Sequence, residues 1–442
     1  MNADRSISRR GFLKTGLAAG TLALPVMTSS CASTAKRTIG ANERIAVGCI
    51  GVGDRGSYVM GSALGLPEAH VLAVCDVKRD RREQAKAAVD DVNGNKDCAA
   101  YNNFEDLIAR DDIDACIIAS CDHWHVPLAL AAVRAGKDVY LEKPMGLTVE
   151  QDITLRKEVH KNKAIFQFGT QQRSDEKFRK ACELVLNGSI GKLKAINVWS
   201  PASSAGGSTE PAPVPETLDY DRWLGPAPFV PYTVERDSNK WWWFVSDYAL
   251  GFIAGWGIHP VDIALWGGGD LLKTNVRIEG QGVFPTEGLC NTATAWDITL
   301  DYDSGVKIRY YSQPAPDELK SRYGTVIEHG TAFEGSEGWV CVDRQRIQAS
   351  SENLLKSEIP ANGIHLPRSA HHVKDFINGV RTRKETVSSI DDAVQGDIFC
   401  HISDIAIRMK RPLLWNAAKE QFKDDPEANA RLTRTMRSPW HL

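Results

Sequence analysis

From Glu43 to about Phe168, short apolar runs alternate with amphipathic stretches, the pattern of βαβ units that build a parallel sheet. RIAVGCI, HVLAVCDV (from His70) and DACIIAS (from Asp114) read as strands. VPLALAAVRAG repeats apolar residues at helical spacing and stops at Gly136, a C-cap signal. DVYLEKP predicts another strand. Thr148-Val149-Glu150-Gln151 predicts a capping box, with Thr148 as N-cap and Gln151 reaching back to it. These elements predict a doubly wound α/β Rossmann domain.

The texture changes after AIFQFGTQQRS. Residues 201–216 are rich in Pro, Ser and Gly and predict a long surface loop. KLKAINVWS, TATAWDITLDYDSGVKIRYYS and TAFEGSEGWVCVD alternate as strands do, so an α+β domain with a mostly antiparallel open sheet and helices on one face is expected. From HHVKDFINGV onward the pattern predicts helices and then an irregular tail. At 442 residues the chain exceeds one ordinary core. The expected division is a signal segment 1–38, a nucleotide-binding domain 39–168 and a substrate domain 169–442.

The signal segment is read from SRRGFLK and the apolar run Leu17–Met27, which is too short to span a bilayer. A twin-arginine lead of this kind predicts export of a folded protein through the twin-arginine machinery, to the periplasm or its membrane face. Ser33-Thr34-Ala35 resembles a peptidase site; Thr28-Ser29-Ser30-Cys31 is a poor relative of a lipoprotein box, which would anchor the protein by a lipid at Cys31. Both endings stay open. A net charge of −3 leaves no basic field for nucleic acid. Cys49, Cys75 and Cys116 sit in apolar runs without any CxxC, so free buried thiols are expected rather than a disulfide framework.

Three stretches carry candidate chemistry. Gly51-x-Gly53-x-x-Gly56, with Asp54 and Arg55 inside it, follows a strand and opens a helix, as a pyrophosphate-binding turn does. Asp76 ends the next strand, where a carboxylate binds a ribose hydroxyl pair; this favours NAD, and Arg79, Arg81 and Arg82 keep NADP as the lesser option. In Leu141-Glu142-Lys143-Pro144, Lys143 stands at the C-terminal end of a strand, where its ammonium can orient a hydroxyl and move a proton. His259 and Asp262, three apart in a helix, can share a face, the carboxylate fixing the imidazole tautomer. No metal is assigned; His259, Asp262, His371 and His372 could converge, but their spacing is not diagnostic. Trp241-Trp242-Trp243 precede the His259 segment, and flat indoles of this kind, Trp256 among them, stack on sugar rings.

IGVGDRG, CDHWHVPLALAAVRAGKDVYLEKP, GTQQRS, LDYDRWLGPAP and GWGIHPVDIALW follow in an order that resembles the Gfo/Idh/MocA oxidoreductases, over essentially all of the chain after residue 40. HISDIAIRMKRPLLWN through MRSPWHL resembles a bacterial subgroup with its own C-terminal domain. The resemblance implies that Lys143 stands nearest the reacting hydroxyl and the nicotinamide, that the Lys143–Pro144 bond is cis, and that Glu142 contacts the nicotinamide side. It also places Ser120, His123 and His125 by the cofactor, Arg173 in the substrate cleft, and His259 on the substrate hydroxyl. Two departures stand out: Gly255 replaces an aspartate common four residues before that histidine, and Ser120-Cys121 replaces a threonine-proline. The expected function is an exported, homo-oligomeric NAD(P)-dependent oxidoreductase acting on a hydroxyl of a sugar, glycoside or polyol, its cofactor bound tightly enough to travel with it. The alternative is a redox-neutral NAD-dependent glycosidase or lyase that passes through a transient 3-keto sugar.

Overall fold

The computed structural model describes residues 43–324 and 328–442. The expected signal segment, with Cys31 and Ser33-Thr34-Ala35, lies outside them. The first set of runs becomes strands β1 (Ile45–Ile50), β2 (Ala69–Cys75), β3 (Ala99–Tyr101), β4 (Ala115–Ile118), β5 (Asp138–Leu141) and β6 (Phe166–Phe168). All pair in parallel, in the order β3-β2-β1-β4-β5-β6. Strand order reverses between β1 and β4, which opens a crevice at their C-terminal ends. Strands β4 and β5 are buried along their whole length, which explains their unbroken apolar sequences. Strand β3 escaped the sequence analysis because it is three residues long and only half-buried.

Sterics decide the turn after β1. Gly51 has φ of 77°, and a side chain there would run into the backbone of Ala119 and Ser120. Gly56 lies in the helix Asp54–Leu64, where a Cβ would overlap the Gly51 carbonyl oxygen. Gly53 differs: its φ is −66° and nothing lies within 4 Å of its missing Cβ, so the fold alone does not require glycine there. Gly136 follows the helix Asp122–Arg134 at φ 76°, as the C-cap signal implied. Thr148 caps the helix Val149–Asn162 and accepts from the Gln151 N–H. The expected return bond is displaced by one residue, because the Gln151 side chain accepts from the Leu147 N–H instead, at 2.8 Å.

The second part holds β7 (Leu193–Ser200), β8 (Val276–Val283), β9 (Ala295–Tyr302), β10 (Lys307–Ser312), β11 (Gly330–Gly335), β12 (Trp339–Val342), β13 (Ile347–Ala349), β14 (Leu413–Asn416) and β15 (Gln421–Phe422). Their order is β13-β12-β11-β7-β10-β9-β8-β14-β15, antiparallel except for β7 beside β10. Strand β9 alternates strictly between buried and half-buried positions, the period that made it legible. The tail is less irregular than expected. Leu413 and Trp415 turn inward and Leu414 outward, and this short alternation adds β14 to the edge beside β8.

Two late helices tie the parts together. His372–Thr382 buries Val373, Phe376 and Ile377 in the core under the first sheet, packed on β1 and the helix Asp54–Leu64. Ile390–Met409 packs on the helix Val149–Asn162, on β8 and on the helix Ile258–Gly268. Residues 40–442 thus form one compact unit. No disulfide occurs among the described residues: nine cysteines are free, all buried but Cys121, and burial pushes the Cys116 thiol up to about 12.

The glycine geometry yields a prediction. Gly56→Ala forces a methyl onto the Gly51 carbonyl, so the thermal unfolding midpoint drops, with a loss of about 1–3 kcal/mol measurable by denaturant titration.

Candidate active site

A cleft of about 620 Å³ opens at the strand-order reversal. Its floor is the turn at Gly51 and Gly53, and Asp76 and Ser120 close its sides at the ends of β2 and β4. Asp76 accepts the N–H of Val52 at 2.8 Å on one oxygen and that of Lys78 at 2.9 Å on the other. Burial pushes its carboxyl up, and these two donors oppose the rise. The arginines expected to court a phosphate are engaged elsewhere. Arg82 donates to the Asp76 carbonyl at 2.6 Å, Arg81 pairs with Asp54 at 2.7 Å, and Arg79 points to the Glu216 carbonyl at 3.4 Å. Asp54 also accepts from Asn239 at 2.9 Å, joining the glycine turn to the far wall of the cleft.

Glu142 and Lys143 stand at the inner end, just past β5. Glu142 is 2% exposed. Its Oε1 accepts from Arg55 at 2.7 and 2.8 Å and from Gln171 at 2.9 Å, while Oε2 accepts the Lys143 N–H at 3.2 Å. Burial works to raise its pKa, but Arg55 and Lys143 together outweigh it and hold the carboxyl below its ordinary range. The Lys143–Pro144 bond is cis. Lys143 Nζ donates to the Gly255 carbonyl at 2.9 Å and lies 5.6 Å from the Trp243 ring centroid. Burial lowers its pKa, against the pull of Glu142 and Asp122. A Cβ at Gly255 would meet only the Phe252 ring, at 3.7 Å, so the replaced aspartate leaves open space beside the amine.

His123 and Arg173 take different places from those expected, and His125 has a structural task as well. His125 lines the cleft, but its Nδ1 lies 2.6 Å from the Pro144 carbonyl and its Nε2 3.0 Å from that of Ser120, so it braces the turn that carries Lys143. His123 does not line the cleft. It is buried between Trp223 and Tyr248 with Nε2 on the Trp223 carbonyl at 2.8 Å, because helix positions two residues apart point to nearly opposite sides. Arg173, expected in the substrate cleft, is 3% exposed and bound to Asp262 at 2.8 Å and to Asp392 at 2.9 Å. Asp262 therefore pairs with Arg173 and not with His259, and is buried away from the cleft lining. His259 is left with a buried Nδ1 that has no partner, 5.7 Å from the Trp256 ring. Burial and nearby Lys143 and Arg344 depress its pKa, so the ring is neutral at pH 7. The four metal candidates do not converge: His371 caps the Lys374 N–H at 3.1 Å, and His372 binds Ser174 and the Phe168 carbonyl.

Two family models match the chain: the oxidoreductase-family NAD-binding Rossmann fold over residues 45–170, and the Gfo/Idh/MocA C-terminal alpha/beta domain over residues 186–442. The chain belongs to the Gfo/Idh/MocA oxidoreductase family. It is 38% identical over 160 residues to a glycosyl hydrolase family 109 protein of Saccharopolyspora erythraea, covering 33% of this chain and 35% of the relative. It is 31% identical over 179 residues to a myo-inositol 2-dehydrogenase of Thermotoga maritima, covering 40% and 49%. The chain thus matches half or less of the length of these curated relatives. The same fold occurs in scyllo-inositol dehydrogenase from Lactobacillus casei, solved with NAD(H) and scyllo-inositol, at 18% identity and TM-score 0.59 over 85% of this chain and 99% of that one. It also occurs in the WlbA dehydrogenase from Bordetella pertussis, solved with NADH and UDP-GlcNAcA, at 16% identity and TM-score 0.62 over 84% and 98%.

Within this Gfo/Idh/MocA chain, a group that sequence analysis missed supports the lysine turn from below. Asp397 accepts the N–H of Met145 at 3.2 Å and of Gly146 at 3.0 Å. His401, one helical turn on, faces Asp397 at 3.6 Å and Asp152 at 3.5 Å, all three buried. Among the described residues they are the His, Cys, Asp and Glu side chains close enough to share a metal, yet an imidazolium offsets one carboxylate charge and burial beside Asp397 raises the Asp152 pKa to about 7, which eases the other. No local signal could have linked Asp397 to Met145, which lie 252 residues apart.

Two outcomes follow from these pairs. Asp262→Asn leaves the buried Arg173 with Asp392 as its one remaining carboxylate partner and lowers stability by about 3 kcal/mol in denaturant melts. The carboxylates around His401 raise its pKa from 6.5 to about 10 despite burial, so its stabilisation is complete below pH 6.5 and disappears as pH rises through about 10. Melting temperatures of the wild type, compared with His401→Gln between pH 7 and 10.5, converge as the pH rises.

Proposed function

We propose that this chain oxidises a secondary hydroxyl of a sugar, glycoside or polyol with NAD held as a prosthetic group. The observation that carries this is the junction of an open glycine turn and an amine: Gly53 leaves room for a pyrophosphate, and Lys143 waits half-buried at the inner end of the same cleft. The residues present fit a dinucleotide. Gly51 and Gly53 leave the backbone bare for the phosphates, and Asp76 keeps lone pairs free for a ribose diol. The carboxylate at Asp76 and the engaged arginines favour NAD over NADP. Bound there, the nicotinamide supplies a hydride acceptor and, in the reverse direction, a donor.

The chain's own residues handle the proton. Lys143 Nζ exchanges the Gly255 carbonyl for the substrate hydroxyl and holds its oxygen in line. Its lowered pKa eases the passage of the hydroxyl proton as the carbon gives up its hydride. The bare Nδ1 of neutral His259 is a second acceptor for that proton. Arg55 keeps Glu142 ionised, and Glu142 in turn fixes the backbone of Lys143. Trp243, under the amine, excludes water and offers a face to a sugar ring.

The twin-arginine lead fits this scheme if the protein folds around its cofactor before export to the periplasm. Nicotinamide cannot be exchanged there, so each turnover must return the hydride to a second substrate or to the product. A redox-neutral glycosidase, in which transient oxidation at C3 acidifies the C2 proton, is the second reading. It is favoured by the likeness to the family 109 glycosyl hydrolase and by the open space at Gly255.

Denatured, purified protein should release nicotinamide dinucleotide in near-stoichiometric amount; an extract without it sinks the prosthetic reading. Gly53→Ala should fold with an unchanged melt but purify without nucleotide, while Lys143→Ala should keep the nucleotide and lose turnover by about 100-fold or more. Aryl glycoside incubated in heavy water separates the two reactions: aglycone release with deuterium at C2 marks the glycosidase.

A further inference from the structure

The proposed chemistry leaves one group of polar atoms unused near Lys143. His329 is 4% exposed, and neither of its ring nitrogens has a partner. Buried polar atoms are paired in the great majority of cases, so a buried ring with two bare nitrogens has room for a bond that a ligand or an ordered water supplies. The His329 ring lies 4.9 Å from Trp256, and the Arg344 guanidinium stands over the same indole at 4.8 Å. Arg344 has no hydrogen bond or ion pair to any described residue. Trp256 directly follows Gly255, whose carbonyl holds the Lys143 amine, and its ring also lies 5.7 Å from His259, so Arg344 over that indole stands at the reacting end. Of the cations gathered here, Arg55 is spent on Glu142 and Lys143 is reserved for the hydroxyl. Among the described residues no carboxylate pairs with Arg344, whose side chain is exposed.

We infer that the substrate carries a carboxylate, received by the Arg344 guanidinium and a His329 N–H over the Trp256 ring, so that the sugar oxidised at Lys143 is a uronic acid or a related sugar acid. This rests on the proposed reaction and names the substrate class for the same site. The planar guanidinium meets both oxygens of a carboxylate with parallel N–H bonds. Burial lowers the His329 pKa to about 4, so at neutral pH it offers one N–H without a second charge. A single unspent cation matches a monoanion better than a phosphate dianion. Gly255 helps, because an aspartate there would bring a repelling charge to the same end of the cleft.

The test uses the nucleotide-loaded full chain and a panel of glucuronate, galacturonate and mannuronate, each beside its methyl ester, which keeps ring and hydroxyls and removes the charge. Reduction of the bound nucleotide is read at its absorbance band, and equilibrium dialysis reads binding separately. The expected preference of acid over ester is about 10- to 100-fold in kcat/KM. Arg344→Gln should bring that ratio to within about threefold of unity, and Arg344→Lys should restore part of it. Equal handling of acid and ester by the wild type across the panel overturns the inference, even if neutral sugars reduce the nucleotide and the proposed reaction stands. A clear advantage of glucose 6-phosphate over every uronate also overturns it, in favour of a phosphate seat. Arg344-dependent binding of a uronate without nucleotide reduction supports the anion seat and sinks the proposed reaction instead.

Discussion

The Glu142 carboxylate is the point on which this site depends. It sits buried at the end of β5, and one oxygen takes both the Arg55 guanidinium from the glycine turn and the Gln171 amide from the segment after β6. The other oxygen holds the Lys143 N–H. One anion thus joins the nucleotide turn, the lysine turn and the entry to the second part of the chain. A buried carboxylate is costly unless cations and N–H donors surround it. Here the groups that satisfy it are the ones whose positions the chemistry needs.

The lysine turn is held from below as well as from the side. Met145 and Gly146 give their N–H groups to Asp397, and His401 joins Asp397 to Asp152 across two helices. His125 grips the same turn through the Pro144 carbonyl. These contacts come from the first sheet's own helices and from a helix some 250 residues downstream in sequence. They leave Lys143 only its amine free to respond to a ligand, and that amine rests on a backbone carbonyl it can exchange.

Charge is distributed unevenly along the cleft. Around the glycine turn, Asp54 and Asp76 are matched by Arg81 and by backbone donors. Deeper in, Arg173 and Asp262 neutralise each other out of contact with the cleft, and Gly255 contributes no charge at all. At the reacting end Glu142 and Asp122 both act on Lys143, while Arg344, above Trp256, pairs with no carboxylate of a described residue. That imbalance distinguishes this site from one built around a substrate-binding aspartate.

Much of this was legible in the sequence. The strands of the first sheet, the glycine turn, Asp76 and the lysine after β5 all follow from patterns no longer than about twenty residues, because local periodicity and turn sterics act over that range. The assignment of partners was not legible. Arg173 read as a substrate group and Asp262 as the partner of His259, and the two proved to be paired with each other; His123 and His125, two residues apart, face different surroundings. Asp397, His329 and Arg344 carry no motif. Burial and charge pairing depend on what packs across tens to hundreds of residues, so the chemistry available at each position was set by the sequence, and only the tertiary structure decided which side chains were neutralised inside the protein and which were left for a ligand.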